Sequence, residues 1–367
     1  MAIYKIFPNA DATIYSYFPA KNTGLDEILE VSVTNSENAA NYFAGPIPNT
    51  PILTDDIRRS LILFSDSDIQ ILNGLKSGSW DAYLRLYLST AENLSIPYTL
   101  NANQVTDFWT MGTGKFPDSP ETRNGVSWYN TASYINSQSN WSSPSYYLTS
   151  GGGTWNSTIC SQSFQYKDVK DVNMSVKPIL TNWFNGNNNY GIIVKHSSSI
   201  ENNPNSYIKL SFFSADTHTI YPPALELRWD DSSYSTGSLR KVTSNQTIIN
   251  VTNNPYTIKS TTNKFTFRVT ARDQFPVRQF TTSSLYTTVK CLPSTSYWSL
   301  QDVKTDDVIV DFDNNYTKIS CDSTSNFFNL YMSGLEPERY YKILIKTILD
   351  SGETIVYNSD NVFKIIR

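Results

Sequence analysis

Much of the chain alternates with period two. In EILEVSV (Glu27 to Val33), Leu29, Val31 and Val33 face one way and Ile28, Glu30 and Ser32 the other, as in a strand with one covered face. WDAYLRLYLST (Trp80 to Thr90) sets Leu84, Leu86 and Leu88 against Tyr83, Arg85 and Tyr87. RRSLILFS (Arg58 to Ser65) opens with charge and becomes an apolar run, which fits a strand covered on both faces. Further strands are predicted at ATIYSYF, GIIVKH, YIKLSFF, ALELRW, KFTFRVTAR, DVIVDF, FFNLYMSGL, YYKILIKTIL and VFKIIR. MAIYKIFPNADATIYSYFPA alternates early and predicts a first strand, not the apolar core of a signal peptide. NANQVTDFWTMGTGKFPDSPETRNGVSWYN, rich in Gly, Pro and Asn, predicts a long ordered loop ending in a short strand at Val126 to Tyr129.

One segment changes period. SVKPILTNWF (Ser175 to Phe184) spaces Val176, Ile179, Leu180 and Trp183 by three, four and seven, one apolar helix face. Pro178 stands near its start and Gly186 just past its end, where each is tolerated best. It is the single helix expected. The small polar run SSYSTGSL (Ser232 to Leu239) marks a break, giving domains over 1–231 and 240–367. The fold class is therefore all-β: an N-terminal β-sandwich carrying one short helix, then a second β-sandwich.

Composition agrees with extended chain. Of 367 residues, 39% are hydrophobic, 17% charged and 14% aromatic, with 24 Tyr. β-branched and aromatic side chains suit a pleated surface, and this much apolar material supplies real cores. The net charge is −4 and Lys and Arg nowhere cluster beyond Arg58–Arg59, so no nucleic-acid partner is expected. No apolar run approaches the roughly 20 residues of a membrane span, so no membrane partner is expected either. Cys160, Cys291 and Cys321 are odd in number and widely spaced, predicting free thiols rather than a disulfide framework or zinc site. Assembly in a reducing cytoplasm fits them best.

Catalytic chemistry is sparse. The two histidines, His196 and His218, both fall in the strand-rich stretch Asn187 to Asp231. SADTHT places Ser214, Asp216 and His218 close in sequence, without the Gly-x-Ser-x-Gly elbow of a hydrolase. The triplet Gly151 to Gly153 lacks the Lys-Ser/Thr of a phosphate loop and predicts a turn or a close backbone approach under Trp155. DFDNNYT offers Asp311, Asp313 and Asn314 as alternating oxygen ligands, but not the glycine and distal Glu of a calcium loop. No enzyme, cofactor or metal is predicted. Trp109, Trp128, Trp141 and Trp155 in the loop-rich region are candidates for stacking on a glycan or anchoring an interface; the bland alternative is core packing.

Longer patterns resemble known families. DATIYS, the NTG turn before LEV, RSLILF, DVNMSVKPILTNW, NNYGIIVK and PPALELRW follow in an order similar to the DNRLRE-type, carbohydrate-binding-like jelly-roll domain. The matching positions are Asp11, Asn22, Gly24, Leu29, Val31, Arg59, Phe64, Trp183, Gly191, Lys195, Pro223, Leu225 and Trp229, over roughly residues 1–231. The chain departs from that family in lacking an export signal and in a longer insert between Asn101 and Ser163. In LEPERYY, Leu335, Pro337 and Tyr341 resemble the tyrosine corner of immunoglobulin and fibronectin type III sandwiches. With DATIYS and NTGLD near the start, IYPPALE and STGSL at the middle and GLEPERYYK toward the end, nearly the full chain resembles structural proteins of contractile-tailed phages that infect marine cyanobacteria and related bacteria. That resemblance implies a non-enzymatic virion protein made in the host cytoplasm, associated with tail or baseplate. Its partners would be other virion proteins in a symmetric multimer. The alternatives are a carbohydrate-binding module for host-surface glycan and a capsid or neck decoration protein.

Overall fold

A computed structural model describes residues 2–34, 56–92, 94, 97–134, 137–142, 151–203, 206–276, 288–358 and 360–367. The fold is all-β, with strands in several mostly antiparallel sheets. None of the described helices is long and apolar enough to cross a membrane. The chain divides into two compact units. One holds Ile6–Leu75 and Asp81–Glu226; the other holds Leu227–Arg367 together with the chain up to Lys5 and Lys76–Trp80.

In the first unit an eight-stranded sheet runs Trp155–Phe164, Tyr98–Val105, Ile192–His196, Asp56–Leu63, Ile28–Thr34, Tyr207–Phe213 and Leu88–Glu92, with Ala10–Tyr15 also paired to Asp56–Leu63. Asp56–Leu63 is flanked on both edges, and Ser60, Leu61 and Ile62 are buried, as its apolar run predicts. Val172–Ser175 pairs antiparallel with Trp80–Leu86, where Ala82, Leu84 and Leu86 form the buried face.

The long loop expected from Asn101 is shorter than the sequence suggests. Tyr98–Val105 and Trp155–Phe164 pair antiparallel, Cys160 facing Ala102. Val126 to Tyr129 are not a strand. Backbone groups from distant segments hold them, with Val126 N–H on Thr110 O at 2.7 Å and Tyr129 N–H on Pro19 O at 3.0 Å; the strand begins at Asn130. Composition marked the region as irregular but could not say which segments find a partner.

The predicted helix is present at Lys177–Phe184, with Ile179, Leu180 and Trp183 buried and Val176 preceding it. Gly186 takes φ +91° just after its end. Two further helices, Asp66–Leu75 and Ser198–Glu201, correct the expectation of one. Asp66–Leu75 buries only Ile69 and Leu72, too narrow a stripe to stand out. Its start is nevertheless legible, because the Ser65 hydroxyl accepts the Asp68 N–H at 3.1 Å as an N-cap.

The second unit has two six-stranded sheets. One runs Arg240–Lys241, Lys290–Cys291, Lys264–Asp273, Asn326–Tyr331 and Ser320–Cys321, with Thr247–Val251 also on Lys264–Asp273. The other runs Thr257–Lys259, Val362–Ile366, Tyr340–Ile348, Ser296–Asp302 and Val308–Val310, with Thr354–Tyr357 also on Tyr340–Ile348. Phe267, Trp298, Phe328 and Phe363 fill the core, Trp298 stacked on Phe328 at 5.0 Å between ring centroids. The run Ser232 to Leu239, read from sequence as a break, belongs to this unit: Tyr234 bridges in parallel to Cys321, and Ser235 N–H donates to Cys321 O at 2.9 Å.

Candidate functional site

The four tryptophans converge in the first unit. Trp109, Trp128 and Trp141 are 2%, 4% and 7% exposed and share one cluster with Ala12, Ile14, Leu61, Val105, Val126 and Ile193. Trp155 is half-buried against it. The Trp109 indole N–H donates to Tyr190 O at 2.8 Å, and that of Trp141 to Ser127 O at 3.1 Å. Trp109, Trp128 and Trp141 pack the interior, and Trp155 is partly covered by Arg59 and Lys195.

Beside them lies a buried ion cluster. Arg59, on Asp56–Leu63, sits between Trp128 and Trp155, its guanidinium carbon 4.9 and 5.1 Å from their centroids. It donates Nε and Nη2 to the two oxygens of Glu201 at 3.0 and 2.9 Å, and Nη1 to Gly152 O at 2.6 Å. Lys195 stands 3.6 Å from Glu201 and 4.9 Å from the Trp155 centroid. Burial lowers the Lys195 pKa. Burial works against ionisation of Glu201 too, but Arg59 and Lys195 outweigh it and hold the carboxyl below its ordinary range. The glycine triplet closes this cluster: at Gly152, φ is +87° and a Cβ would lie 2.6 Å from Arg59 Nη1 and 2.8 Å from the Trp128 ring. The close approach expected under Trp155 is made instead to Trp128, distant in sequence, whose carbonyl accepts the Gly152 N–H at 2.6 Å.

A second polar staple explains the NTG turn. The buried Asn22 amide donates to Met111 O and Val126 O at 2.7 and 2.8 Å and accepts Gly114 N–H at 2.8 Å and Gly24 N–H at 3.3 Å. Its donor and acceptor capacity is filled from segments about ninety positions apart.

A concavity in this unit has a volume of 340 Å³ and is lined by Tyr15, Asp26, Glu27, Glu30, Lys115 and Phe116 among others. The Phe116 ring leans on Tyr15 at 5.1 Å. The Phe116 N–H reaches both Asp26 carboxylate oxygens, at 3.0 and 3.2 Å. Burial pushes Asp26 up to about 6. Glu30 is bound by Arg58 at 2.5 Å and Lys209 at 3.6 Å, whereas Lys115 and Glu27 meet only loosely, at 3.9 Å. An apolar ring wall beside carboxylates and an ammonium can stack on and hydrogen-bond to a polyol. Sequence gave no warning of this pocket, since nothing local joins LDEILE to GKFPD.

The remaining candidates have structural roles. The Ser214 hydroxyl donates to Asp26 O at 2.6 Å, while His218 is largely exposed and 3.9 Å from Glu27, so Ser214, Asp216 and His218 form no relay. His196 is buried, and burial pushes its imidazole down to about 4. The Asp313 carboxylate accepts Asn315 and Tyr316 N–H at 2.7 and 2.9 Å and caps its own turn. Among the described residues no group of three or more His, Cys, Asp or Glu could hold a metal ion. At the corner carrying Leu335 and Pro337, the Tyr341 hydroxyl accepts Glu336 N–H at 2.8 Å and donates to Glu336 O at 3.3 Å. No protein-family model matches the sequence, and no curated protein matches it.

Proposed function

We propose that this chain is a non-enzymatic structural protein of a contractile-tailed phage virion, associated with tail or baseplate and acting through protein–protein contact. The observation that carries the reading is an apolar patch on the second unit. Val303, Val308 and Tyr340 are 43%, 53% and 53% exposed. Val303 N–H donates to Tyr340 O at 2.9 Å and Val308 pairs with Gln301, so the three crowd one end of the sheet face opposite the buried Leu300 and Ile343. Clustered exposed apolar side chains on a sheet face suit burial against a neighbour. The sheet order of this unit and its tyrosine corner support an immunoglobulin-like module, and the Asn22 and Arg59 staples support a jelly-roll module carrying the resemblance seen in the sequence.

The test is cryo-electron microscopy of purified particles with mass spectrometry of their proteins. The expected result is this chain at a repeated position in tail or baseplate, with Val303, Val308 and Tyr340 covered by a neighbour. A capsid or neck position would keep the structural role and correct the location. Absence from the particle would overturn the reading.

The pocket favours a second reading, recognition of a host-surface glycan. Phe116, backed by the buried Tyr15, supplies the ring wall; Asp26, Glu27 and Lys115 supply hydrogen-bonding groups. Binding on a glycan array that disappears with Phe116→Ala and Asp26→Asn would support it. Binding insensitive to both changes would exclude the pocket.

A further inference from the structure

Two of the three cysteines are brought together. Cys291 lies in Lys290–Cys291 and Cys321 in Ser320–Cys321, both at most 1% exposed. In strand order these two short elements are separated by Lys264–Asp273 and Asn326–Tyr331, yet one side chain ties them. Asn326, paired in register with Cys321, accepts the N–H of Leu292 at 2.8 Å and donates to Ser320 O at 3.2 Å. The residue after one cysteine and the residue before the other are thus held by the same amide. The two thiols are near enough to interact electrostatically, while each donates to a backbone carbonyl, Cys291 to Leu239 O at 3.8 Å and Cys321 to Asp322 O at 3.4 Å. Tyr234, 40% exposed, bridges in parallel to Cys321, and its hydroxyl donates to Leu292 O at 2.5 Å, so one residue spans from Cys321 to the neighbour of Cys291. The pair lies beneath Tyr234, and the two-residue strand carrying Cys321 is paired with Asn326–Tyr331 on one edge and held by Ser233 and Ser235 on the other. Cys160 belongs to the other unit.

We propose that Cys291 and Cys321 are a redox-convertible pair that closes to an intramolecular disulfide by exchange with a small-molecule disulfide. One cysteine thiolate attacks a sulfur of the external disulfide and displaces one small thiol. The second cysteine then attacks the mixed disulfide at the protein sulfur and displaces the other small thiol. The protein loses two electrons to the external disulfide, and the two thiol protons end on the two released small thiols. Burial pushes the Cys321 thiol up to about 12, so exchange in the folded chain is slow at neutral pH and faster in mild alkali. A bond here closes residues 291–321 and removes conformational freedom from the unfolded chain. A chain folded in a reducing compartment would acquire this brace only on passing to an oxidising one.

The experiment treats the full folded chain with oxidised glutathione at mildly alkaline pH. After an acid quench, the chain is denatured, alkylated with N-ethylmaleimide and mapped by peptide mass. The expected result is alkylation at Cys160 alone, with a Cys291–Cys321 cross-linked peptide that dithiothreitol dissolves. A parallel sample is refolded from denaturant in the same buffer, so that restricted access cannot hide the reaction. Alkylation or separate glutathione adducts at Cys291 and Cys321 in both samples would overturn the proposal. In Cys321→Ser, Cys291 should remain alkylatable or carry glutathione; a cross-link to Cys160 instead would show the pairing to be non-native and equally overturn it.

Discussion

His196 and Asp11 are buried groups whose charge the fold opposes. Burial lowers His196 from its ordinary 6.5 to about 4, so folding favours the neutral ring. That contribution is fully present above pH 6.5 and is lost as pH falls toward 4. Burial raises Asp11 from 3.8 to about 7, opposed by the Ala215 N–H it accepts at 2.7 Å. Its contribution is fully present below pH 3.8 and is lost as pH rises through 7. The two slopes oppose each other between pH 4 and 7, and variants separate them. Urea unfolding of His196→Phe should lose less stability than the native chain on going from neutral to acid pH, by roughly 1–3 kcal/mol at about 1.4 kcal/mol per pH unit. Asp11→Asn should show the reverse difference. At Glu201 the effect is larger. Glu201→Gln leaves Arg59 and Lys195 buried without a counter-charge and should cost about 3–5 kcal/mol, whereas replacing all three groups with apolar side chains of similar volume should recover most of it.

Elements are set by their terminal residues as well as by their stripes. The helix Asp66–Leu75 depends on Ser65 for one of its free N–H groups, so Ser65→Ala should cost about 1 kcal/mol in thermal or denaturant unfolding. The glycine triplet works by absence of side chain. Gly152→Ala forces a Cβ onto Arg59 and Trp128 at a positive φ, and should cost roughly 1–3 kcal/mol with a changed tryptophan emission spectrum. An unchanged spectrum and stability would show that this loop does not close the ion cluster. The alternation in EILEVSV and WDAYLRL was legible because each strand has one mostly covered face. Val126 to Tyr129 misled because an apolar-aromatic run also suits irregular chain, provided distant carbonyls satisfy its N–H groups.

On the scale of the molecule, one buried cluster of the described residues gathers around Trp109, Trp128 and Trp141 and another around Trp298 and Phe328. Tyr341→Phe removes both hydrogen bonds at the Glu336 corner and should cost about 1–3 kcal/mol in the second core. Tyr341 and Glu201 have no common hydrogen-bond partner, so Tyr341→Phe and Glu201→Gln should add to within about 0.5 kcal/mol in the double variant, where each transition can be followed. A large deviation would mean that the cores respond to one another.

The sequence by itself determined the class of fold, most strands and the apolar helix face, because period and turn residues act over a few neighbouring positions. It also contained Asp11, Asn22, Arg59 and Lys195, without showing what they touch. Tertiary structure alone decided that the tryptophans pack inward, that Arg59 finds Glu201 142 positions later, and that Asp26 meets Phe116 across 90. The same holds for Asn326 gathering Cys291 and Cys321. The reason is common to all four cases: burial and pairing of polar groups depend on which distant segments the sheets bring side by side, and no local pattern encodes that choice.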